Sequence, residues 1–214
     1  MIMRKVTHER ILPGCVRVKR VIFWRCATIM SNLNTRAKQG HHMDEPVIVY
    51  PGNPLSLAVS RKEMIPVYHR WISDSETIRG FGNRFPPTLD RYEMRWDHPQ
   101  RDTHSFELVT ADSTPVGMVR FDNDDVVRTA EYHLIIAPEA RGNGYAAMAT
   151  RLALDYAFGV AGRQCVWLQA LEPNASAISA YEKAGFKRAG VIRRGGYWGH
   201  RPCDLIYMDA LPND

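Results

Sequence analysis

Residues 131–149, with the sequence EYHLIIAPEARGNGYAAMA, place a strand, a glycine-rich turn and a helix in immediate succession. Leu134–Ala137 is an apolar run of strand length. Pro138 ends the strand because it cannot donate a ladder hydrogen bond. Gly142 and Gly144 follow, and then an alanine-rich segment without proline predicts a helix. This order directs backbone N–H groups and a helix N-terminus at one point, which predicts a site for anions, phosphate above all.

The glycines alone leave several kinds of turn open. Their spacing, Gly142-x-Gly144-x-x-Ala147, also fits a dinucleotide-binding turn, with Glu172 ending the next strand as the acid that binds the ribose. Against that interpretation, residues 138–141 separate the glycines from the strand, whereas a dinucleotide turn follows its strand directly. No Lys-Ser/Thr pair follows the glycines, so they do not form a P-loop. An ordinary strand-to-helix turn is the remaining alternative.

The turn resembles the acetyl-CoA motif of the GNAT acetyltransferases, Arg/Gln-x-x-Gly-x-Gly/Ala, because Arg141, Gly144 and Ala146 occupy its defined positions. In that family the central strand pairs with the pantetheine arm of acetyl-CoA, and the turn holds the pyrophosphate. The resemblance therefore implies acetyl-CoA as a co-substrate. The residues that it implies as cofactor contacts are Leu134, Ile135, Ile136, Arg141, Gly142, Asn143, Gly144, Tyr145, Ala146 and Asn174.

Two further blocks match the same family in the expected order. One is residues 174–186, NASAISAYEKAGF, and the other is the ending made of residues 190–194, GVIRR, with Tyr197, Trp198, Gly199, Asp204 and Met208. The resemblance covers about residues 55–211. Together with the sequence RTAE at 128–131, these blocks make the chain similar to the branch typified by ribosomal-protein-alanine N-acetyltransferases. The fold that this resemblance implies is the GNAT fold.

The resemblance also assigns an acid and a base. Acetyl transfer requires a fixed acyl donor, an amine that has lost its proton and stabilisation of the negative charge that develops on oxygen and sulfur. Tyr181, seven residues after Asn174, matches the family tyrosine that donates to the CoA sulfur. Glu131 matches the acidic residue near the acceptor amine, acting directly or through water. A tyrosine packed in the core and a solvent-facing strand charge are the structural alternatives.

Candidate contacts to the acceptor come from two places. In the family, the region around the Gly-, Pro- and Phe-rich segment 80–87 forms one wall of the acceptor pocket, although such a loop can equally pack on its own core. The candidates there are Phe81, Asn83, Arg84 and Phe85. His133 is two residues after Glu131, so it lies on the same strand face, and an imidazole titrates in the useful pH range. A surface histidine is the alternative.

The charge of the chain is concentrated at one end. Residues 1–43 contain nine of the 28 Lys and Arg but one of the 23 Asp and Glu residues. We predict a basic, disordered extension at 1–43 and an acetyltransferase domain at 44–214. The pI of about 9.1 belongs to the extension and does not indicate a nucleic-acid groove in the domain. No apolar run approaches membrane-spanning length, and the spacing of the four cysteines suggests no metal site.

Periodicity over the rest of the chain predicts an α/β fold, a single domain with a mixed, mostly antiparallel central sheet flanked by helices. Predicted strands include 55–60, 106–109, 116–121, 164–171, 186–192 and 205–208, and predicted helices lie at 61–72, 74–79 and 88–97. Residues 74–76 can cap the second of these helices, and Asn174 is expected to cap a further helix that ends at Gly185. The helix after the glycine turn has one face of small residues that can lie close against a sheet: Ala146, Ala149, Ala153 and Ala157. Asp122–Asp125 is interpreted as a solvated turn. Metal binding by that turn is the alternative, but the glycine and terminal glutamate of an EF-hand loop are missing.

These observations predict a cytoplasmic, acetyl-CoA-dependent N-acetyltransferase that needs no metal. Its acceptor would be a small-molecule or peptide amine, and transfer would be direct within a ternary complex. We expect no nucleic-acid or membrane partner, and either a monomer or a homodimer. A non-catalytic acyl-CoA sensor on the same fold is the alternative. A nicotinamide-dependent enzyme rests on the glycine spacing alone.

Overall fold

The computed structural model describes residues 45–98 and 102–213, which form a mixed sheet flanked by helices. The strands are β1 (Ile48–Tyr50), β2 (Leu55–Val59), β3 (Thr103–Thr110), β4 (Pro115–Asp124), β5 (Thr129–Ile136), β6 (Cys165–Leu171), β7 (Lys187–Trp198) and β8 (Arg201–Ala210). The helices are α1 (Ile65–Ile72), α2 (Ser75–Gly80), α3 (Leu89–Asp97), α4 (Tyr145–Gly159) and α5 (Ala175–Ala184), with short 3-10 helices at Lys62–Met64 and Pro138–Ala140. The predicted extension, residues 1–43, lies outside the described residues. No helix within the described ranges is long and apolar enough to cross a membrane.

The sheet has the strand order β1-β2-β3-β4-β5-β6-β8-β7, and every neighbouring pair is antiparallel except β5 and β6. The predicted mixed, mostly antiparallel sheet is therefore confirmed. Strands β5 and β6 pair only from Thr129 opposite Cys165 to Glu131 opposite Trp167. On its other side, β5 stays paired with β4 as far as Ile136. The central strands thus separate after Glu131, and we call this opening the fork.

Helix α4 packs closely on the sheet because its buried face consists of small residues. Ala149, Ala153 and Ala157 are all at most 1% exposed. The predicted alanine face is thus buried at these three positions. Next to them, the hydroxyl groups of Thr150 on the helix and Tyr132 on β5 are 3.1 Å apart and share a hydrogen bond. This bond ties the helix that follows the glycine turn to the strand that precedes it.

Helix α5 begins and ends at the predicted residues. The side chain of Asn174 accepts a hydrogen bond from the backbone N–H of Ala177, which satisfies one free donor of the first turn. Gly185 ends the helix at φ +115°, a conformation that residues with a Cβ rarely adopt. Between the two caps, Ile178 is buried against the core.

A buried carboxylate joins the first helix to the sheet. Glu107 on β3 is fully buried and accepts hydrogen bonds from the hydroxyl of Tyr68 on α1 at 2.9 Å and from the guanidinium of Arg61 at 2.9 and 3.1 Å. A buried charge of this kind requires such partners. Burial raises the pKa of Tyr68 above its usual range, so its hydroxyl remains a donor to Glu107.

The prediction of a turn at Asp122–Asp125 was wrong for its first residues. Strand β4 continues through Asp124, and the turn lies between it and Thr129. Asp122 lies within the ladder because it pairs with Thr103 on β3 and with Glu131 on β5. Pairing on both sides overrides the turn preference of an Asp-Asn-Asp-Asp run. The final hairpin, β7 and β8, is likewise longer than predicted.

Candidate active site

A cavity of about 980 Å³ opens at the fork. Strand β5, the glycine turn and the first residues of α4 form one side, while the end of β6 and helix α5 form the other. Helix α2 and the segment after it contribute a third wall. The volume lies at the upper end of the range for ligand sites, roughly 300–1,000 Å³, and suits a ligand as large as a nucleotide cofactor.

All but four of the predicted site residues line this cavity. Those that line it are Phe81, Glu131, His133, Leu134, Ile135, Ile136, Arg141, Gly142, Gly144, Tyr145, Ala146, Asn174 and Tyr181. The four that do not line it are Asn83, Arg84, Phe85 and Asn143. Phe85 is 81% exposed, Arg84 lies 4.7 Å over the ring of Tyr197, and the amide of Asn143 donates to the carbonyl of Ala140 within the turn. Apart from Asn143, the structure therefore gathers the cofactor and chemistry candidates, but it brings in only one residue of the aromatic loop.

The glycine turn presents backbone N–H groups at the start of a long helix. Gly142 and Gly144 have φ angles of +82° and +74°, so both positions favour glycine. Gly144 is also the N-cap of α4, whose first N–H groups have no partner within the helix. A left-handed turn leading into a helix N-terminus binds anions. The turn therefore has the backbone geometry of an anion site, and its binding of a pyrophosphate stays a prediction.

The side chain of Arg141 is directed to α2 rather than held free over this turn. Its guanidinium donates to the carboxylates of Asp74 at 2.5 Å and Glu76 at 2.9 Å and to the hydroxyl of Thr77 at 2.7 Å. Burial alone would raise the pKa of Asp74, but hydrogen bonds from Arg141 and Thr77 outweigh it and lower that pKa. Arg141 therefore joins the turn to the wall formed by α2. We therefore expect the backbone N–H groups of the turn to be the main donors to an anion.

Tyr181 reaches the cavity from α5 with its ring enclosed by other aromatic rings. The ring centroid lies 6.3 Å from that of Tyr132 and 6.0 Å from that of Phe186, both in edge-to-face contact. Burial raises the pKa of Tyr181 to about 12. Its hydroxyl therefore remains protonated at neutral pH and can act as a hydrogen-bond donor within the cavity.

Glu131 stands at the point where β5 and β6 separate. The side-chain amide of Gln169 on β6 donates to its carboxylate at 3.2 Å, across the base of the fork. Burial and the negative charge of Asp122 raise the pKa of Glu131, while Arg120 and Gln169 oppose the rise. A carboxylate with a raised pKa is a stronger base than one in water, which is the property that a proton acceptor needs.

His133 forms a compact group with two carboxylates and an arginine. Its Nε2 atom lies 3.0 Å from an oxygen of Asp122 and 3.9 Å from an oxygen of Glu131, and Arg120 donates to the same oxygen of Asp122 at 2.8 Å. Burial and the charge of Arg120 lower the pKa of His133 to about 4 despite Asp122. At neutral pH the imidazole is therefore uncharged.

This group also bears on the expectation that no metal is needed. The potential ligand atoms of Asp122, Glu131 and His133 all lie within 4.8 Å of one another. The guanidinium of Arg120 already balances the charge of Asp122, however, and would repel a cation placed between the ligands. That the protein needs no metal therefore remains a prediction. The close grouping of Asp122, Glu131 and His133 still requires an explanation.

Sequence reasoning missed three features around the fork. Asp122 was assigned to a turn, and Gln169 gave no signal beyond its place in a strand. On the face of the sheet shared with Glu131, the rings of Trp167 and Tyr207 stack with centroids 6.1 Å apart. The pairing of β6 with β8, which brings these rings together, joins residues that are distant in the chain. An alternating-face analysis of β6 could have placed Trp167 and Gln169 on one side.

Similar proteins support this interpretation of the fold. The chain is 37% identical over 86 residues to the spermidine N(1)-acetyltransferase of Escherichia coli (strain K12), covering 40% of this chain and 46% of that protein. It is 33% identical over 107 residues to the Vibrio cholerae serotype O1 spermidine N(1)-acetyltransferase, covering 50% and 62%. The matches thus span less than two thirds of these relatives. The putative ribosomal N-acetyltransferase YdaF of Bacillus subtilis is 29% identical over 135 residues, covering 60% and 74%.

Solved structures share the architecture. The Vibrio cholerae spermidine N-acetyltransferase, whose crystal structure contains CoA and spermine, superposes with a TM-score of 0.70 at 23% identity, over 75% of this chain and 96% of that one. At this level of identity the likeness establishes the fold alone. The profile of the acetyltransferase (GNAT) family matches residues 67–186, more than half of the chain, and includes the fork, the glycine turn and α5. The chain therefore belongs to the acetyltransferase (GNAT) family.

Proposed function

We propose that the chain is an acetyl-CoA-dependent N-acetyltransferase that transfers the acetyl group directly to a primary amine in a ternary complex. The observation that carries this proposal is the convergence of an anion-binding turn, Glu131 and Tyr181 on one cavity at the fork. Family membership supports the class of reaction. We extend the proposal to the residues: Tyr181 as the donor to sulfur, Glu131 as the base, and β5 with the glycine turn as the cofactor cradle.

The residues present fit acetyl-CoA in three respects. The turn at Gly142 and Gly144 offers N–H groups to a pyrophosphate. Beyond Glu131, β5 and β6 are no longer paired, so the edge of β5 is open to an extended amide-containing arm. Leu134, Ile135 and Ile136 line that side of the cavity. Acetyl-CoA, when bound, supplies the acetyl group and a thiolate leaving group.

The side chains then handle two protons. An alkylammonium with a pKa near ~10 cannot attack, so Glu131 accepts one proton from it. The nitrogen forms the new bond to the carbonyl carbon as the carbon–sulfur bond breaks, and Tyr181 donates a hydrogen bond to the departing sulfur. The second nitrogen proton passes to sulfur. In balance, an ammonium and a thioester give an amide, a free thiol and one proton, which Glu131 returns to solvent.

For the acceptor, we favour a small cationic amine of the polyamine class. Glu131 places a carboxylate on the face of the sheet that also carries the stacked Trp167 and Tyr207, and both features attract ammonium groups. The names of the spermidine-acetylating relatives point the same way. A protein N-terminus, as expected for the ribosomal-protein-alanine branch, is the second candidate, supported by the similarity to YdaF.

One experiment tests the class and narrows the acceptor. Acetyl-CoA is titrated while the melting temperature is followed, and polyamines, monoamines and alanyl peptides are then screened for release of free thiol. We expect thermal stabilisation by acetyl-CoA and not by NADH, and thiol release with polyamines. Stabilisation without release with any amine would favour the acyl-CoA sensor, and stabilisation by NADH alone would contradict the proposal. A cytoplasmic location and a monomeric or homodimeric state remain further predictions.

A further inference from the structure

A second carboxylate, Asp122, lies directly opposite Glu131 on the neighbouring strand. Like charges placed opposite each other in an antiparallel ladder destabilise a sheet. The chain nevertheless places both at the base of the fork and adds His133 on the same face. Clusters of mutually perturbed titratable groups beside a cavity are typical of functional sites. Asp122 does not itself line the cavity, so any effect on the acceptor must pass through its neighbours.

Donors from three strands fix the side chain of Asp122. One carboxylate oxygen accepts from the hydroxyl of Thr103 on β3 at 2.8 Å. The other accepts from the guanidinium of Arg120 on β4 at 2.8 Å and from Nε2 of His133 on β5 at 3.0 Å. A side chain held at three points cannot rotate away without losing charge-assisted hydrogen bonds. Asp122 is therefore a rigid anchor for the imidazole beside the base.

The anchor also decides where the imidazole carries its proton. A carboxylate only accepts, so Nε2 of His133 must be protonated to bond Asp122. In the neutral ring the lone pair is then on Nδ1. The Nε2–H group therefore bonds Asp122 at 3.0 Å, and an oxygen of Glu131 lies 3.9 Å from the same nitrogen, so the imidazole stands beside both carboxylates that face each other across the ladder.

Resting on the proposed function, we propose that Asp122 is a positioning residue that fixes the tautomer of His133 and keeps Glu131 basic enough to take the proton of the acceptor. Asp122 does not touch the reacting atoms. It acts through its hydrogen bond to His133 and through its negative charge beside Glu131. This role explains why a like-charged pair is retained at the fork.

The charged groups around Glu131 and His133 determine the direction in which each substitution should shift their pKa values. From β4, the anionic Asp122 raises the pKa values of Glu131 and His133, and the cationic Arg120 lowers both. Strand β6 adds Gln169, which is uncharged and donates to Glu131. Helix α2 adds side chains of both signs at the cavity, from Glu76 and Arg79. Removing Asp122 should therefore lower both pKa values, whereas removing Arg120 should raise both.

The test is the pH dependence of kcat/KM for the acceptor at saturating acetyl-CoA. In Asp122→Asn we expect the acid limb to move to lower pH and the plateau to fall roughly 10-fold, less than the 10²- to 10⁴-fold loss of a base. In Arg120→Gln the acid limb should move to higher pH. Thr103→Val, which removes a donor but no charge, should leave the position of the limb unchanged. Loosened packing alone would not shift the acid limb in opposite directions in the two charge variants. Acid limbs at the same pH in Asp122→Asn and Arg120→Gln would therefore overturn the proposal.

A second measurement does not need turnover. Nitrogen-15 NMR of the imidazole, assigned with His133→Gln, reports which ring nitrogen carries the proton. We expect the Nε2–H tautomer in the wild type and a mixture of tautomers in Asp122→Asn. An unchanged tautomer in that variant would overturn the positioning role. If the tautomer changes as expected but the wild type acetylates no amine, the proposed function fails while the coupling of Asp122 to His133 stands.

Discussion

Replacing Tyr181 by phenylalanine isolates the contribution of a single hydroxyl to turnover. The phenylalanine ring keeps the edge-to-face contacts that Tyr181 makes with Tyr132 and Phe186, at 6.3 and 6.0 Å between centroids. Tyr181 lines the cavity from α5, and its hydroxyl is proposed to lie beside the sulfur of acetyl-CoA. The substitution should therefore change the chemistry of the site far more than its packing.

The size of the effect follows from the acidity of the phenol. Burial raises the pKa of Tyr181 to about 12, whereas a free thiol titrates near ~8.5. Complete transfer of the phenolic proton to the thiolate is thus uphill by roughly 5 kcal/mol, at ~1.36 kcal/mol for each pKa unit. Tyr181 therefore works by hydrogen bonding to the developing charge. Such a bond contributes roughly 1.5–3 kcal/mol, so kcat should fall roughly 10- to 150-fold.

The assay is steady-state release of free thiol with an accepted amine, combined with acetyl-CoA affinity and chemical denaturation of each variant. We expect nearly unchanged affinity and stability in Tyr181→Phe. Tyr132→Phe is the matched control, because it removes a hydroxyl from the same aromatic cluster that bonds Thr150 at 3.1 Å instead of facing the sulfur. It should lose about 1 kcal/mol of unfolding free energy and little turnover. Wild-type kcat in Tyr181→Phe would refute the donor role and leave positioning as the main source of rate.

Four other perturbations have defined outcomes. Glu131→Gln should slow thiol release most at neutral pH. The loss of rate should shrink as the pH approaches the pKa of the amine, near ~10, because more of the amine is then unprotonated. A loss of rate that does not depend on pH would argue against a base. Gly144→Asp should abolish the rise in melting temperature with acetyl-CoA, because a carboxylate would meet the pyrophosphate, whereas Gly159→Ala at the other end of α4 should retain it. Glu107→Gln should lower the unfolding free energy in urea by roughly 3 kcal/mol, since it removes the buried carboxylate charge that accepts hydrogen bonds from Arg61 and Tyr68. Deleting residues 1–40 should leave acetyl-CoA affinity and cooperative unfolding intact. Loss of either property would show that the segment is part of the folded domain.

Sequence reasoning was most successful where the structure depends on local chemistry. Pro138, Gly144 and Gly185 act through their own backbone preferences, and Asn174 caps a helix through a residue three positions away. A continuous apolar run placed the central strand, and alanine at helical spacing identified the face of α4 that meets the sheet. Such signals operate over a few residues, so they can be interpreted before any tertiary contact is known.

The acceptor side of the cavity was less accessible to the same reasoning. Phe81 and Phe85 lie in one Gly-, Pro- and Phe-rich segment, yet only Phe81 lines the cavity and Phe85 is 81% exposed. Neighbouring aromatic residues in a loop have no fixed period, because each direction depends on the local backbone angles. The sequence could therefore predict which segment forms the wall, but not which of its side chains face inward.

Arg141 shows the same limit inside the most specific motif of the chain. The motif defines a backbone position at the turn, and the structure has the turn in the expected place. The side chain instead binds Asp74 and Glu76, more than sixty residues earlier, and this pairing depends on how α2 packs beside the turn. Asp74 was correctly expected to cap α2, where it accepts from the N–H of Thr77 at 3.0 Å. The capping residue Asp74 and the motif residue Arg141 thus form one ion pair, which connects α2 to the glycine turn. Neither segment specifies this contact alone, because it depends on how the two pack together.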